Sequence, residues 1–235
     1  MDKLNIITKQ FGLELSEYQL QQFSRYYEIL VEWNSFMNLT AITDKEEVII
    51  KHFADSLLLS KYKNFHESDD LIDVGTGAGF PGIPLKIAFP ELKVTLMDSL
   101  NKRLNFLNEV IKELKLENVE TVHARAEDGG RNPLYREKYD IVVSRAVANL
   151  STLSEWCLPF AKVGGYFIPY KSNALSDEMA DGKKVIRILG GQVENIFNTN
   201  IPDTDNVRSF VFVKKICNTD NKYPRKPGAS KKPIK

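Results

Sequence analysis

The chain is poor in the residues that bind metals or form disulfides. It has two cysteines and three histidines among 235 residues, and these lie far apart: Cys157, Cys217, His52, His66 and His123. The sequence contains no C-x-x-C pair and no zinc-ligand spacing. We therefore expect no bound metal. Nothing in the cysteine spacing requires a disulfide, which fits a reducing cytoplasm.

Long apolar runs are also missing. No segment approaches the roughly 20 apolar residues that a helix needs to cross a bilayer, and the first five residues begin no apolar run of signal-peptide length. Hydrophobic residues make up 43% of the chain and charged residues 27%, as in ordinary globular proteins. We expect a cytoplasmic protein without membrane contact, with one α/β domain and a small addition.

Excess positive charge is confined to the C-terminal end. Residues 214–235 contain eight basic residues and one acidic residue, a net charge of +7, which leaves −6 for the rest of a chain whose net charge is +1. A basic tail on an acidic body predicts a polyanionic partner. The alternative is a solvated, disordered tail without a binding role, which is common for segments rich in lysine and proline.

Three glycines lie where a predicted strand passes into a predicted helix. The apolar strand at 71–74 is followed by Gly75, Gly77 and Gly79 at alternate positions. Without β-carbons, the backbone of such a turn can lie against a ligand, and the N–H groups at the helix start point toward it. Asp98 ends the next strand, 23 residues after Gly75, where a carboxylate can hold the hydroxyls of a ribose. The pattern predicts a nucleoside-cofactor site.

Phe80 distinguishes between two such cofactors. The dinucleotide fingerprint G-x-G-x-x-G places a third glycine beside a pyrophosphate, and this chain has Phe80 at that position. A phenyl ring would crowd a pyrophosphate, whereas S-adenosylmethionine (SAM) has no phosphate. The sequence therefore favours SAM over a nicotinamide dinucleotide. An oxidoreductase remains the alternative, although no Ser-Tyr-Lys or Cys/His set is evident.

The apolar pattern predicts an α/β protein with a helical start. Helices at 18–30 and 46–62 flank a break at 34–43 and precede the first strand. Strands and helices then alternate, which predicts a doubly wound, mostly parallel sheet whose last two strands pair antiparallel. The strands are expected at 71–74, 93–97, 120–123, 139–144, 166–170, 191–197 and 207–214, and the helices at 101–116, 150–160 and 176–189.

Local signals refine these boundaries. Ser99 is expected to cap the helix that starts at 101, the Gly164-Gly165 pair to form the turn after the helix at 150–160, and Pro169 to mark the end of its strand. We divide the chain into an N-terminal helical extension (1–66), a cofactor-binding domain (67–216) and a basic tail (217–235).

Candidate site residues follow the ends of the predicted strands. Ligands of such sheets bind beyond the carboxyl ends of the strands, where 75–80, 98–99, 124–127 and 144–146 would meet. Ala126 is small and Glu127 is acidic, as expected of a loop edge that meets an adenine amino group. Arg145 directly follows a buried strand, so its charge must face the cleft or find a partner. It could bind the cofactor's carboxylate or a phosphate.

With these residues in place, the chain resembles the bacterial small-subunit rRNA guanine-N7 methyltransferases, the RsmG or GidB (glucose-inhibited division protein B) family. The resemblance runs nearly end to end. Its most specific parts are the Phe-Pro-Gly after the glycines and the Tyr-Pro-Arg of the tail. One departure is Pro169-Tyr170-Lys171, where the family more often has Ala-Leu-Lys-Gly. The motifs are Trp33-Asn34, Asn38-Leu39-Thr40-Ala41-Ile42, His52-Phe53-Ala54-Asp55-Ser56, residues 73–85, residues 98–103, residues 144–148 and residues 223–228.

The resemblance implies a fold, a reaction and a set of cofactor contacts. The fold is a class I SAM-dependent methyltransferase, Rossmann-like, with a seven-stranded mostly parallel sheet and an N-terminal helical extension. The reaction is methylation of N7 of a guanine in 16S rRNA of the small ribosomal subunit, at position 527 in the usual rRNA numbering, by an enzyme of EC class 2.1.1. Separately, we expect the protein to be a monomer. The residues expected at SAM are Gly75, Gly77, Gly79, Phe80, Asp98, Ser99, Ala126, Glu127 and Arg145, with Asp98 on the ribose.

The strand ends fit a reaction that needs no general base. Methylation at carbon 5 of a pyrimidine requires a cysteine nucleophile, and neither Cys157 nor Cys217 is expected at a strand end. The Asp/Asn-Pro-Pro-aromatic motif of amino-methylating enzymes is absent from 144–147. Guanine N7 has a free lone pair and no proton, so alignment of N7, methyl and sulfur supplies most of the rate. We expect Arg145 to orient the reactants and name no catalytic base.

RNA recognition is assigned to the tail and to a few residues of the body. His52 and Asp55 either recognise the guanine or form a structural pair. Deleting 222–235 is expected to weaken RNA binding and its salt dependence while leaving SAM affinity unchanged. Further alternatives are a SAM enzyme that acts on a small molecule or protein, and a non-catalytic RNA-binding protein. The residues expected on RNA are Lys171, Lys222, Arg225, Lys226, Lys231 and Lys232.

Overall fold

The structure is a computed structural model that describes residues 1–145, 148–172, 175–229 and 234. Its strands are β1 (Asp70–Val74), β2 (Lys93–Asp98), β3 (Val119–His123), β4 (Tyr139–Arg145), β5 (Ala161–Lys171), β6 (Gly191–Asn200) and β7 (Val207–Lys215). Its α-helices are α1 (Asp2–Lys9), α2 (Glu17–Met37), α3 (Lys45–Val48), α4 (Asp55–Leu57), α5 (Gly82–Ala88), α6 (Asn101–Glu113), α7 (Ala126–Gly129), α8 (Leu150–Cys157) and α9 (Leu175–Ile188). Shorter helical turns are a π-helix at Ile49–Ala54 and 3₁₀ turns at Leu58–Lys61 and Leu158–Phe160.

The strands form one seven-stranded sheet in the order β3-β2-β1-β4-β5-β7-β6. Strands β1 to β5 are parallel, whereas β7 runs antiparallel to both β5 and β6. The order reverses between β1 and β4, which creates the crevice where sheets of this kind bind ligands. The predicted mostly parallel sheet with an antiparallel end is confirmed.

Helices cover both faces of the sheet. One core joins the N-terminal helices to α5 and α6, and a second core lies under α8 and α9. In the described part of the chain, no helix is long and apolar enough to cross a membrane.

Helix α2 continues through the first part of the predicted break. A capping box between Ser16 and Gln19 starts this helix, and Asn38 ends it in the left-handed conformation. The prediction that the helix stops before Asn34 is wrong, since α2 extends to Met37. Asn34 Oδ1 instead accepts the N–H of Thr40 at 2.9 Å and so stabilises the turn that follows.

The second predicted helix, 46–62, is continuous but irregular. It begins as α3, passes through the π-helix at Ile49–Ala54 and ends in a 3₁₀ turn at Leu58–Lys61. A π-turn contains an extra residue and is frequent at functional sites. Here it leaves the carbonyl of Lys51 available to Arg145 of β4, whose Nη1 donates to it at 3.0 Å. The irregularity therefore faces the site described below.

Three local predictions are wrong. Leu100, not Ser99, is the N-cap of α6 and makes no side-chain cap, because Asp98 Oδ1 already accepts the N–H of Leu100 at 2.9 Å. Gly164 and Gly165 lie inside β5, not in a turn. Pro169 is also internal to β5 and pairs with Ser144 of β4. The ladder between β5 and β7 is interrupted at Ile168 and Pro169, so the missing N–H of this proline falls where that ladder has no bridge.

Candidate active site

A large cavity opens at the carboxyl ends of the parallel strands. Its volume is about 1020 Å³, and it extends from the loop after β1 past the ends of β2, β3 and β4. The predicted cofactor residues that line it are Gly75, Gly77, Phe80, Asp98, Ser99, Ala126, Glu127 and Arg145. The topology thus brings together side chains that lie up to 70 residues apart in the sequence.

The glycines of the loop after β1 have different surroundings. Gly77 has a φ of +61°, and a β-carbon placed there would meet no atom within 4 Å, so its backbone faces open space in the cavity. Gly79 does not line the cavity. A β-carbon at Gly79 would lie 2.6 Å from the hydroxyl of Tyr26, which donates to the carbonyl of Ala78. This glycine therefore admits a side chain of α2 beneath the loop.

Asp73 fixes the other side of the same loop. Its Oδ2 accepts the hydroxyl of Thr76 at 2.7 Å and the N–H of Gly82 at 2.9 Å, and its Oδ1 is buried without a partner among the described atoms. Burial raises the pKa of this carboxyl to about 6, against the bonds from Thr76 and Gly82, which lower it. The start of α5 is thus occupied by a carboxylate.

This arrangement tests the choice of cofactor. A dinucleotide places its pyrophosphate on free N–H groups at a helix start, but here Pro81 has no N–H and Gly82 donates to Asp73. A phosphate would also meet the carboxylate of Asp73. A nucleoside cofactor without a phosphate fits these residues, and SAM is such a cofactor. Gly77, Asp98 and Arg145 would hold it, and it would supply a methyl group on a sulfonium.

Asp98 links the loop after β1 to the loop after β2 at the bottom of the cavity. Its side chain is 2% exposed, and Oδ2 accepts the N–H of Gly77 at 2.9 Å and a guanidinium N–H of Arg103 at 3.2 Å. The carboxylate therefore lies at the tip of β2, where a ribose would be held. Arg103 also lines the cavity and was not identified from the sequence, although it belongs to the quoted motif at 98–103.

Arg145 is held by residues of the N-terminal extension. Nη1 donates to Asp55 Oδ2 at 2.7 Å, and Nη2 donates to His52 Nδ1 at 3.2 Å. Asp55 is fully buried and also pairs with Arg208, so both of its oxygens are occupied by arginines. The guanidinium of Arg145 lies 5.1 Å from the ring centroid of Phe80. Asp55 thus positions two cations rather than facing the cavity itself.

His52 forms a wall of the site in its neutral state. Burial, and next the charge of Arg145, lower its pKa to about 3. Because Nδ1 accepts from Arg145, the proton is assigned to Nε2, which lies 2.8 Å from Thr40 Oγ1. The imidazole stacks on Phe80 with ring centroids 4.5 Å apart. A group with this pKa is a weak base at neutral pH.

A second cavity adjoins the first. Its volume is about 420 Å³, and it shares His52, Arg145 and Leu153 with the larger cavity. Four basic side chains, Lys51, Arg145, Lys171 and Arg208, and two acidic ones, Asp55 and Glu178, line it. Lys171 pairs with Glu178 at 2.6 Å. The two cavities meet at Arg145, so a basic pocket opens directly beside the cofactor cavity.

The residues predicted to bind RNA have different environments. Lys222 and Lys226 are exposed, whereas Lys231 and Lys232 lie outside the described residues. Arg225 pairs with the buried Glu155 at 2.7 Å. Gly228, which the sequence analysis did not single out, lines the cofactor cavity; the family motif that contains it was the only signal available.

Comparison with solved structures identifies the fold. A SAM-dependent methyltransferase from Aquifex aeolicus has a TM-score of 0.54 at 18% identity and covers 72% of this chain and 93% of its own. TYW2 of M. jannaschii, in complex with AdoMet, has a TM-score of 0.56 at 18% identity and covers 75% and 80%. The chain thus shares the fold of a SAM-dependent methyltransferase, and its cavity fits a nucleoside cofactor without a phosphate.

Closer relatives give the family. The family model described as rRNA small subunit methyltransferase G (GidB) matches residues 19–206. The chain belongs to this family. Proteins named ribosomal RNA small subunit methyltransferase G from Lachnoclostridium phytofermentans and Acetivibrio thermocellus are 54% and 55% identical to it, over 97% and 95% of this chain and 93% and 92% of their own lengths. The predicted family, fold class, enzyme class and cofactor are confirmed.

Proposed function

We propose that the protein transfers a methyl group from SAM to N7 of a guanine in the 16S rRNA of the small ribosomal subunit, at position 527 in the usual rRNA numbering. Membership of the rRNA small subunit methyltransferase G family supports the substrate class. The observation that carries the proposal is the meeting of the two cavities at Arg145, because a base in the basic cavity would lie next to a cofactor in the larger one.

The basic cavity suits a nucleotide of the RNA. Lys51, Arg145, Lys171 and Arg208 supply donors and positive charge for phosphate or for the acceptor edge of a guanine. A flipped base needs a pocket beside the reacting group and flat surfaces on which to stack. His52 lines both cavities, and its imidazole, which stacks on Phe80, is a flat surface at their boundary.

The chemistry at N7 requires no proton transfer. SAM bound in the larger cavity would supply a methyl group on a sulfonium. The N7 lone pair would form a bond to the methyl carbon as the carbon–sulfur bond breaks, so that S-adenosylhomocysteine would leave as a neutral thioether and the guanine would take the positive charge. His52, with a pKa lowered to about 3, is poorly suited to act as a base, which agrees with a target atom that has no proton. The role left to Arg145, Asp55 and His52 is to hold the two reactants in line, which alone can supply a large part of the rate.

We also propose that the enzyme acts as a monomer in the cytoplasm, where small subunits are assembled. Sedimentation of the purified protein would test the first part of this statement. Within the described residues, no group of histidine, cysteine, aspartate and glutamate side chains could hold a metal, and the proposed chemistry requires none.

The test is methyl transfer from labelled SAM to small-subunit rRNA that lacks this modification, offered both as naked RNA and as assembled subunits. We expect label in 7-methylguanosine at one site. Whichever of the two substrates is methylated faster will identify the stage of subunit assembly at which the enzyme acts. Arg145→Gln should lower kcat by at least about tenfold, whereas Lys112→Gln, far from the cavity, should leave it unchanged. Absence of label in both forms, despite measurable SAM binding, would contradict the proposal and favour a protein or small-molecule substrate.

A further inference from the structure

The C-terminal segment after β7 is packed on the body of the protein. The buried Lys215 donates to Thr219 Oγ1 at 2.6 Å, and Arg136 donates to the carbonyls of Thr219 and Tyr223 at 2.6 and 2.9 Å. Tyr223 is 7% exposed and belongs to the core under α8 and α9. The chain is thus fixed up to this residue, although its composition alone suggests a solvated tail.

Arg225 provides the last strong attachment. Its backbone N–H and its Nε each donate to Glu155 Oε1 at 2.8 Å, and Nη2 donates to Oε2 at 2.7 Å. Glu155 is 1% exposed. A guanidinium that binds both oxygens of a buried carboxylate is a strong and directional pair. Removal of either partner would leave the other charge poorly compensated, and such changes are strongly destabilising.

This attachment leads directly to the cofactor cavity. Glu155 belongs to α8, and the neighbouring Thr152, Leu153 and Trp156 of that helix line the cavity. Three residues after Arg225, Gly228 lines the same cavity. Gly228 has a φ of +87°, a conformation that favours glycine. The wall therefore combines a helix of the body with the end of the anchored segment.

We propose that residues 225–228 are part of the cofactor site, with Arg225 as the positioning residue that holds Gly228 at the cavity wall. Cofactor affinity then depends on a segment whose exposed Lys226 begins the proposed RNA contact. Since binding linkage is reciprocal, any factor by which RNA bound to the tail changes the affinity for SAM is also the factor by which SAM changes the affinity for RNA. Only this coupling to RNA rests on the proposed function. The proposal replaces the sequence-based expectation that removal of the tail leaves SAM affinity unchanged.

The test distinguishes the effect of Gly228 at the cavity wall on cofactor affinity from the effect of the positive charge of the tail. One variant ends after Arg225, so the anchor stays and Gly228 is removed. The matched full-length variant carries Lys226→Gln, Lys231→Gln and Lys232→Gln, so the wall stays and the charge is removed. Titration calorimetry with S-adenosylhomocysteine should show Kd raised by about tenfold or more in the first and by less than about twofold in the second. Equal Kd values for the truncated and full-length chains would overturn the proposal.

A second measurement does not depend on a truncated chain. In the full-length protein, S-adenosylhomocysteine should slow amide hydrogen exchange at residues 226–229, and Glu155→Gln should reduce that protection. Arg225→Gln should raise the Kd for S-adenosylhomocysteine, and Arg225→Lys should restore part of the affinity. Exchange at 226–229 that is insensitive to S-adenosylhomocysteine would overturn the proposal. These readouts measure cofactor binding, so they stand even if the rRNA assignment fails.

Discussion

Two buried titratable residues beside the cofactor cavity, Asp73 and His52, respond to pH in opposite directions. Burial raises the pKa of Asp73 from 3.8 to about 6, so this carboxyl contributes stability that is full below about 3.8 and is lost as the pH rises through about 6. Burial and Arg145 lower the pKa of His52 from 6.5 to about 3, so its contribution is present above about 6.5 and is lost as the pH falls.

The effect of Asp73 can be isolated by substitution. We expect the free energy of unfolding of the wild type, relative to Asp73→Asn, to fall as the pH rises from about 5 to 7, by at most about 1.4 kcal/mol per pH unit. The contribution of His52 cancels in this difference. Urea unfolding followed by circular dichroism over this pH range provides the measurement.

Asp70→Asn is the matched control for this prediction. Asp70 lies on the same strand, but its side chain is 44% exposed, so its substitution should not reproduce the pH dependence. A wild-type advantage over Asp73→Asn that grows towards alkaline pH would contradict the raised pKa of Asp73.

At the scale of secondary-structure elements, the N-terminal helices form part of the cofactor site. Helix α2 supplies Tyr26, which is fully buried and stacks against Phe53 with ring centroids 5.4 Å apart. Its hydroxyl donates to the carbonyl of Ala78 in the glycine loop. The π-helix supplies His52, and α4 begins with Asp55. These elements hold the loop after β1 from below and Arg145 from the side.

Tyr26→Phe should therefore weaken both the fold and cofactor binding. The substitution leaves the buried carbonyl of Ala78 without its donor, which costs about 1–3 kcal/mol. We expect the free energy of unfolding to fall by about that amount and the Kd for SAM to rise several-fold. Urea unfolding and titration calorimetry provide the two measurements.

Tyr27→Phe is the natural control, because the hydroxyl of Tyr27 donates to the carbonyl of Thr43 in an exposed position. It should change both quantities little. Gly79→Ala alone should lower the free energy of unfolding. Combined with Tyr26→Phe, the loss should be smaller than the sum of the two single losses, because the tyrosine hydroxyl is the closest atom to the added β-carbon. Equal effects of the two tyrosine substitutions would contradict a specific role of Tyr26.

At the scale of the whole molecule, part of the positive charge of the C-terminal end serves the fold. The buried Lys215 pairs with Glu137 and Arg225 pairs with the buried Glu155, whereas the pairs Lys214–Glu194 and Lys222–Asp220 are exposed. Lys226 is exposed and forms no ion pair with any described residue. The charge available to a polyanion is therefore smaller than the net charge of +7 suggests, and it begins at the rim of the cofactor cavity.

Neutralising the last lysines should reduce the salt dependence of RNA binding. Each lysine that no longer neutralises a phosphate lowers the slope of log K against log salt by roughly 0.7–0.9. The combined variant Lys226→Gln, Lys231→Gln and Lys232→Gln should therefore have a slope smaller by about 2. Fluorescence anisotropy with small-subunit rRNA at several salt concentrations measures it.

The control carries the same change of charge elsewhere. Lys93 begins β2, Lys112 lies in the last turn of α6 and Lys115 follows that helix. All three are exposed and lie at the ends of these elements that are opposite the cavity. Their combined substitution by glutamine should leave the slope nearly unchanged. The same reduction of slope in both triple variants would show that the tail has no special role.

Local sequence was sufficient to predict the seven strands and most of the helices, though not α1 or α7, together with the glycine loop with Asp98 and the preference for SAM. These features depend on short-range physics: alternation of apolar residues, backbone conformations open to glycine, and a carboxylate at the tip of a strand. Boundaries at Asn34 and Ser99 were wrong because other local hydrogen bonds, from Thr40 to Asn34 and from Leu100 to Asp98, are formed instead. The boundary at Pro169 was wrong because the ladder between β5 and β7 is interrupted there.

The meeting of distant side chains became evident only in the folded chain. Arg145 contacts His52 and Asp55 about 90 residues away, and Gly228 reaches the cavity formed by the first loop. The charges of the C-terminal end are the clearest case, because composition gives their sum but not their partners. Such contacts depend on the packing of whole elements, and no short window of sequence contains that information.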